Sequence, residues 1–331
     1  MATYKGIQGY SVPKLTTDPT GSAVVGQLWY NSTEGAFKIS TEGAGAWSSG
    51  GVMNDARDEM ASCGTQTAAI AAGGEPPNTT NAETYDGTTW TEVNNLVEGG
   101  RYGLVGFGTT TAAIAAGGYS NPPTNARTSV ESYNGTSWTA ATGMTTARYN
   151  FGGSKGGTQT AGLVFSGISP SHGTETVNAE EYNGSTWTEK ANVNTARAAA
   201  KGLGISTASL MCGGGTGSLT VKVAIVEEYN GTSWTEVGDL NTARQNVGSA
   251  GTTALGLVAG GNGPSFSALT EKWDGTSWTE VADLATGRYG PGSSGSATEA
   301  ALFGGSTAPG VVTSTEEWND PVYTIKTVTV S

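Results

Sequence analysis

Arginine, glutamate and tryptophan recur in this chain at matched spacing. Arg57, Arg101, Arg148, Arg197, Arg244 and Arg288 are separated by 44, 47, 49, 47 and 44 residues, and of the seven arginines only Arg127 falls outside the series. Glu83, Glu131, Glu180, Glu227, Glu271 and Glu316 keep step with them, each two residues before a Tyr or Trp. Trp90, Trp138, Trp187, Trp234 and Trp278 follow five residues after that aromatic, and Trp47 stands ten residues before Arg57, as Trp234 stands before Arg244. Trp, Arg and Glu together are suitable chemistry for a ring of sugar-binding sites, one per repeat. The more economical reading is architectural. Only 13% of the residues are charged, so one Arg and one Glu per unit read as partners within or between neighbouring units. Such pairs fix geometry more than they add stability, because desolvation offsets much of the attraction. The tryptophans read as aromatic packing between units.

Other catalytic chemistry has little to draw on. The chain has one histidine, His172, in a Pro/Ser/Gly stretch, so Ser-His-Asp or Cys-His catalysis and a His-based metal site all rest on a single surface-loop residue. Cys63 and Cys212 read as two small buried hydrophobes; in a ring they belong to units one and four, too far apart for a disulfide. No Walker-type loop, zinc spacing or EF-hand loop is present. No cofactor is expected, and the chain is read as a non-enzyme.

The elements that carry these residues are short strands. A Gly pair closes the second strand of each unit, and its second Gly falls at Gly74, Gly118, Gly167, Gly214, Gly261 and Gly305, in steps of 44, 49, 47, 47 and 44 residues. Each unit reads as four strands, a to d. In the second unit, strand a lies in Arg101–Phe107 and strand b in Thr111–Ala116. Strand c is Val130–Tyr133, and strand d begins at Trp138. Period two puts each Glu and its aromatic on one strand face. Asp86-Gly87, Asn134-Gly135, Asn183-Gly184, Asn230-Gly231 and Asp274-Gly275 separate c from d, the strongest short-range hairpin signal. The turn explains the Asn-Gly-Thr/Ser sequons at Asn134, Asn183 and Asn230 without glycosylation.

A mid-forties period, Gly-Gly, an aromatic followed by Trp and then Arg resemble the kelch repeat, over roughly residues 47 to 320. The third copy departs with Ser166-Gly167. The resemblance implies an all-β fold: a six-bladed kelch-like β-propeller of four-stranded antiparallel blades. The sixth copy breaks off after Trp318-Asn319-Asp320, and the missing Trp lies at Trp47. The resemblance therefore implies closure by an N-terminal strand. It does not fix a function; the family's copper oxidases need metal ligands this chain lacks.

Composition bounds the partners. With a formal net charge of −12 over 331 residues, the chain is a poor match for a nucleic-acid backbone or an anionic membrane surface. No apolar run approaches the ~18 residues of a membrane span, and Met1-Ala2-Thr3-Tyr4-Lys5-Gly6 leads into no apolar segment of a signal peptide. The 52 glycines are spread periodically and leave Ala and Gly in strands a and b, where inner strands of a propeller crowd together.

The ends lie outside the repeat. Residues 1–25, with Pro13 and Pro19, read as an extended arm that orders on a partner, 26–46 as a β-hairpin, 47–320 as the propeller and 321–331 as a strand packing with that hairpin. The stretch Gly26-Gln27-Leu28-Trp29-Tyr30-Asn31 through Ile39 resembles virion proteins of marine tailed bacteriophages. That resemblance implies a virion structural protein made in a host cytoplasm and present in multiple copies, as a tail fibre or tail-associated adhesin, with capsid decoration as the alternative. Its partners would be other virion proteins, through the arm and terminal strands, and a host-surface glycan or protein. A glycan-binding lectin independent of any virion is the rival class. The loops between strands b and c vary most in length, from 9 to 13 residues between the second Gly and the Glu. They place Tyr119, Asn121, His172 and Phe266 as the candidate binding residues.

Overall fold

The computed structural model describes residues 12–19, 24–120, 125–169 and 174–328. Candidate residues Asn121 and His172 lie outside the described residues. So do residues 1–11 and 20–23 of the expected arm, and 329–331. The described chain divides into two compact units, one of residues 47–318 and one of residues 1–46 with 319–331.

The larger unit is all-β and propeller-like. It contains four-stranded antiparallel sheets in one repeated order, the first formed by Ala61–Thr65, Ala68–Ala72, Ala82–Tyr85 and Trp90–Val93. Five sheets of the same kind follow, with first strands at Val105–Thr109, Gly152–Gly153, Lys201–Ile205, Gly248–Gly251 and Gly292–Gly295. The last of them takes its fourth strand from Ala46–Ser49, beside Thr315–Asn319. We number these sheets one to six from Ala61.

Within each sheet, burial follows from the pairing. The aromatic at the end of the third strand faces the Trp that opens the fourth, as Tyr85 faces Trp90 and Tyr229 faces Trp234. The connection between them is a four-residue loop. Asp86 Oδ1 accepts the backbone N–H groups of Thr88 and Thr89 at 2.8 and 2.7 Å, and only Gly87 takes a positive φ, of 91°. The sequence signal of a tight Asn-Gly hairpin thus resolves into an Asx turn, because the short side chain satisfies two backbone donors that a two-residue loop would not leave free.

Contacts between sheets repeat as well. Indole N–H groups donate to the preceding sheet: Trp187 to Thr142 O, Trp234 to Ala191 O and Trp278 to Gly238 O, at 2.9–3.0 Å. Trp47 follows the same rule toward Thr270 Oγ1 of sheet five, and Trp90 toward Thr315 Oγ1 of sheet six, both at 3.0 Å. Two backbone series run alongside. The second Gly of each pair donates to the carbonyl of the next sheet's repeated Arg, from Gly74 to Arg101 through Gly305 to Arg57, at 2.7–3.1 Å. The second residue after each Arg donates to its counterpart: Gly103 to Glu59, Asn150 to Gly103, Ala199 to Asn150, Asn246 to Ala199, Gly290 to Asn246 and Glu59 to Gly290, at 2.6–3.0 Å.

The first Gly of each pair is dictated by this packing. At Gly213, with φ of 59°, an added Cβ would lie 2.3 Å from Arg244 O. Ser166 takes the same left-handed conformation in sheet three, and its hydroxyl donates to the Arg197 carbonyl instead of colliding with it.

The smaller unit is a four-stranded sheet in the order Lys14–Leu15, Leu28–Asn31, Ala36–Gly43, Val322–Thr327. Lys14 and Leu15 pair in parallel with Tyr30 and Asn31, so part of the segment read as an extended arm is an edge strand. Asp18 anchors it, its Oδ1 accepting from Trp29 Nε1 at 2.7 Å and Asn31 Nδ2 at 2.8 Å, and these bonds hold its carboxyl below the usual range.

Trp318 is fully buried and its ring centroid lies 5.5 Å from that of half-buried Trp47. Trp318→Ala is expected to lower the unfolding free energy by about 3–5 kcal/mol and Trp47→Ala by about 2 kcal/mol. Urea denaturation measures both. Shifts under about 1 kcal/mol in the two variants would contradict the packing role assigned to this pair.

Candidate functional site

The repeated charges face inward. Arg and Glu of the same sheet lie at 3.1 Å (Arg57–Glu83), 2.9 Å (Arg101–Glu131), 2.6 Å (Arg148–Glu180), 2.8 Å (Arg197–Glu227), 2.7 Å (Arg244–Glu271) and 2.6 Å (Arg288–Glu316). All twelve residues are buried. Each Glu also receives backbone N–H groups from the loop that enters its sheet, as Glu180 receives Thr145 at 2.7 Å and Thr146 at 3.2 Å. Arg148 Nη1 donates to Ser166 O at 3.0 Å and Asn178 O at 2.8 Å, and Arg244 and Arg288 bond the equivalent carbonyls. Burial lowers every one of these arginine pKa values, while the Glu partner opposes the shift. Trp90, Trp138, Trp187, Trp234 and Trp278 are likewise buried, against neighbours such as Phe303 and Phe165.

Variable chemistry sits one residue after each repeated Arg. That column reads Asp58, Tyr102, Tyr149, Ala198, Gln245, Tyr289. Each forms an antiparallel bridge to the residue after its Gly pair: Asp58 to Glu75, Tyr102 to Tyr119, Tyr149 to Ile168, Ala198 to Gly215, Gln245 to Asn262 and Tyr289 to Ser306. The column borders the hydrogen-bond series that runs through Glu59 and Gly290, and we refer to its six positions together as the mouth. Of the loop candidates, Tyr119 joins it, with ring centroids 5.6 Å from Tyr102 and 4.9 Å from Tyr149, and Phe266 lies 5.1 Å from Tyr289.

Three carboxyls gather on one side of this mouth. Burial, with Glu59 and Glu75 nearby, pushes the Asp58 carboxyl up to about 8. Burial and Glu59 push Glu75 up to about 7. Glu59 is itself raised by burial, against Lys201 and the amides of Asn246 and Asn150; its Oε1 accepts from Asn246 Nδ2 at 2.6 Å. Burial likewise raises Tyr102, Tyr149 and Tyr289, helped by these carboxylates. Among the described residues, no three His, Cys, Asp or Glu side chains are arranged to hold a metal ion.

A cavity of about 10 Å³ is bordered by Glu59, Lys155, Lys201, Ser62 and Phe151, room for about one water molecule. Lys155 of sheet three donates to Ser62 Oγ of sheet one at 2.9 Å and to Ser293 Oγ of sheet six at 2.7 Å. Burial pushes its amine down to about 7. Cys63 and Cys212 are free, buried thiols raised to about 12 by burial.

Sequence reading passed over Asp58, Glu59, Glu75, Tyr102, Tyr149, Tyr289 and both lysines. Two signals were available. Lys155 stands seven residues after its Arg, where the other five units have Gly64, Gly108, Gly204, Gly251 and Gly295. Lys201 stands four after its Arg, in a column of Ala61, Val105, Gly152, Gly248 and Gly292.

The molecule is thus an all-β protein whose larger unit is a propeller-like array of four-stranded antiparallel sheets. No family model matches the chain, and no curated protein matches it. Solved structures do: 311 chains are similar, too many to select one activity. The solved structure described as "Structure of YjhT" aligns with a TM-score of 0.69 at 13% identity, covering 83% of this chain and 99% of that one. At that identity the likeness speaks to the fold alone.

Two outcomes follow from the buried charges. Arg148→Met leaves Glu180 buried without its cation and is expected to cost about 3–5 kcal/mol, while Arg148→Met with Glu180→Leu recovers most of it. Denaturant unfolding of the wild type, both single variants and the double variant measures this, and a double variant as unstable as the sum of the singles would refute the pairing. The second outcome concerns pH. Asp58 and Glu75 have ordinary values of 3.8 and 4.5 and are raised in the folded state. The folded protein therefore holds protons that the unfolded chain has released, and stability falls as pH rises from 5 to 7. Lys155, with its lowered value, acts oppositely and at higher pH, from about 7 to 10.5. Asp58→Asn should flatten the decline in Tm between pH 5 and 7; a slope equal to wild type would disprove the assignment.

Proposed function

We propose that residues 47–318 close as a six-bladed propeller, and that the chain is a non-enzymatic structural protein of a tailed-bacteriophage particle that presents this propeller for attachment. Closure is supported by the hydrogen-bond series that return from Gly305 to Arg57 and from Glu59 to Gly290, and by Trp47, which bonds sheet five as the missing sixth Trp. The six repeated Arg–Glu pairs are buried against each other, and in sheets three to six the guanidinium also bonds backbone, which removes them from any role at the surface.

The observation that carries the structural reading is the second sheet. Both chain ends, 14–43 and 322–327, combine into their own four-stranded sheet apart from the repeat. A terminal module of this kind suits mounting one body on another, and its outer strands, Lys14–Leu15 and Val322–Thr327, have edges on which a neighbouring chain can add a strand. The phage assignment rests on the resemblance of residues 26–39 to virion proteins. A tail fibre or tail-associated adhesin is preferred to capsid decoration, because the mouth supplies a binding surface. The same tyrosine-lined mouth favours a glycan-binding lectin as the second reading.

Mass spectrometry of purified particles is expected to find this chain, and particles assembled with a variant lacking residues 1–25 are expected to lack it. Absence of the chain from particles removes the virion reading; normal incorporation of the truncated chain removes the role of the N-terminal segment.

A further inference from the structure

The mouth is not symmetric. Asp58 and Glu75 lie between Tyr289 of sheet six and Tyr102 of sheet two, and the tyrosines continue through Tyr119 and Tyr149. On sheet four the equivalent positions are Ala198 and Gly215, which contribute nothing larger than a methyl group. A repeat that needed only to pack would not require this distribution.

The unbonded guanidinium nitrogens of Arg57 and Arg101 lie against Glu83 and Glu131, and the column next to them holds a set of unbonded acceptors. Asp58 Oδ1, Glu59 Oε2, Gln245 Oε1, Asn150 Oδ1 and Asn246 Oδ1 are buried and accept no hydrogen bond. All five are oxygens. Their residues are more than nine-tenths buried, at 3%, 7%, 8%, 6% and 3% exposure in the same order. Gln245 Oε1 projects over sheet four, where it would lie 2.3 Å from a Cβ added at Gly215. Buried acceptors of this kind call for a donor. Charge points the same way. Asp58, Glu59 and Glu75 face one another, and Lys201 is the cation set against Glu59 and Asp58. With all four ionised the cluster is left at −2, beneath the faces and edges of four tyrosines.

The geometry points to a binding site at this mouth for a ligand bearing an organic cation, an alkylammonium or guanidinium group. Carboxylates accept its N–H groups, and tyrosine rings flank it as they flank cationic groups elsewhere. A bare metal ion is a poorer fit, since the carboxyls do not converge into a ligand set. The raised carboxyl values agree with a site that lacks its counter-charge. The inference does not depend on whether the chain is carried on a particle.

The full-length protein can be titrated by NMR with Nα-acetyl-arginine amide, standing for a basic protein side chain, and with glucosamine, standing for an amino sugar. Nα-acetyl-citrulline amide and N-acetylglucosamine are the matched neutral probes. At least one cationic probe is expected to bind about tenfold or more tightly than its neutral counterpart. For the arginine probe, whose guanidinium stays charged throughout, that preference is expected to grow from pH 6 to pH 9, as Glu75 and Asp58 ionise beside Glu59, Lys155, Lys201, Tyr102, Tyr149 and Tyr289. Asp58→Asn should abolish the preference, and Glu75→Gln, at a half-buried position, provides the same test if the first variant does not fold. The proposal is overturned if charged and neutral probes bind alike, if no probe binds, if the preference survives both substitutions, or if calcium chloride alone saturates the site.

Discussion

The repeated arginines join each sheet to itself and to the sheet before it. Each guanidinium meets the Glu of its own sheet, and in sheets three, five and six it also meets the carbonyls that end the second strand and precede the third. Each arginine carbonyl receives the Gly pair of the preceding sheet. Hydrophobic residues make up only 36% of the chain, and strands near the interior are largely Ala and Gly. Such strands pack closely but bury little apolar area, so their relative placement falls to directional bonds. A buried ion pair is a weak source of net stability and a strong constraint on geometry, because any arrangement that separates it leaves a charge stranded. The Arg–Glu pair therefore fixes each sheet against the loop that enters it, and the arginine carbonyl fixes that sheet to the one before.

That constraint extends two residues further along the chain. Glu59, Gly103, Asn150, Ala199, Asn246 and Gly290 all adopt φ between 49° and 65°. For non-glycine residues this conformation costs of order 1 kcal/mol each. The cyclic backbone bonds offset it, and they are short, at 2.6–3.0 Å. With the backbone held on both sides, by the arginine carbonyl and by this series, the residue between them is freed from architectural duty. Asp58, Tyr102, Tyr149, Ala198, Gln245 and Tyr289 can differ without moving the sheets. The most constrained stretch of the repeat thereby displays its most variable column.

This division explains which features were legible in the sequence. The Trp, Arg, Glu and Asn-Gly positions were visible because each recurs, and recurrence is the signature of a role in every sheet. The pairing of Trp47 with the last sheet was readable from its ten-residue offset to Arg57. The mouth was obscure for the opposite reason: its residues do not repeat, and their neighbours on other sheets are distant in sequence. Asp58 and Tyr289 are separated by more than two hundred positions. The loop reading singled out Tyr119 and Phe266, which pack against Tyr102 and Tyr289, two residues that looked like ordinary strand residues. The parallel edge strand at Lys14–Leu15 was missed because two residues carry no periodicity; it is held by Asp18 reaching Trp29 and Asn31.

Lys155 shows how a break in the repeat can be read once the geometry is known. Five units keep Gly at its position, with φ of 88–115°. In sheet three, where the first strand is only Gly152–Gly153, the chain leaves the ladder early, and the lysine that replaces Gly reaches Ser62 and Ser293 on sheets one and six. It fills the interior below Glu59 and leaves space for about one water. Its amine meets hydroxyl and carbonyl oxygens, with no carboxylate as partner, so its charge is not matched and burial lowers its pKa. A lysine held there gains little stability from its charge, yet it bonds three sheets to one another and closes the floor of the mouth.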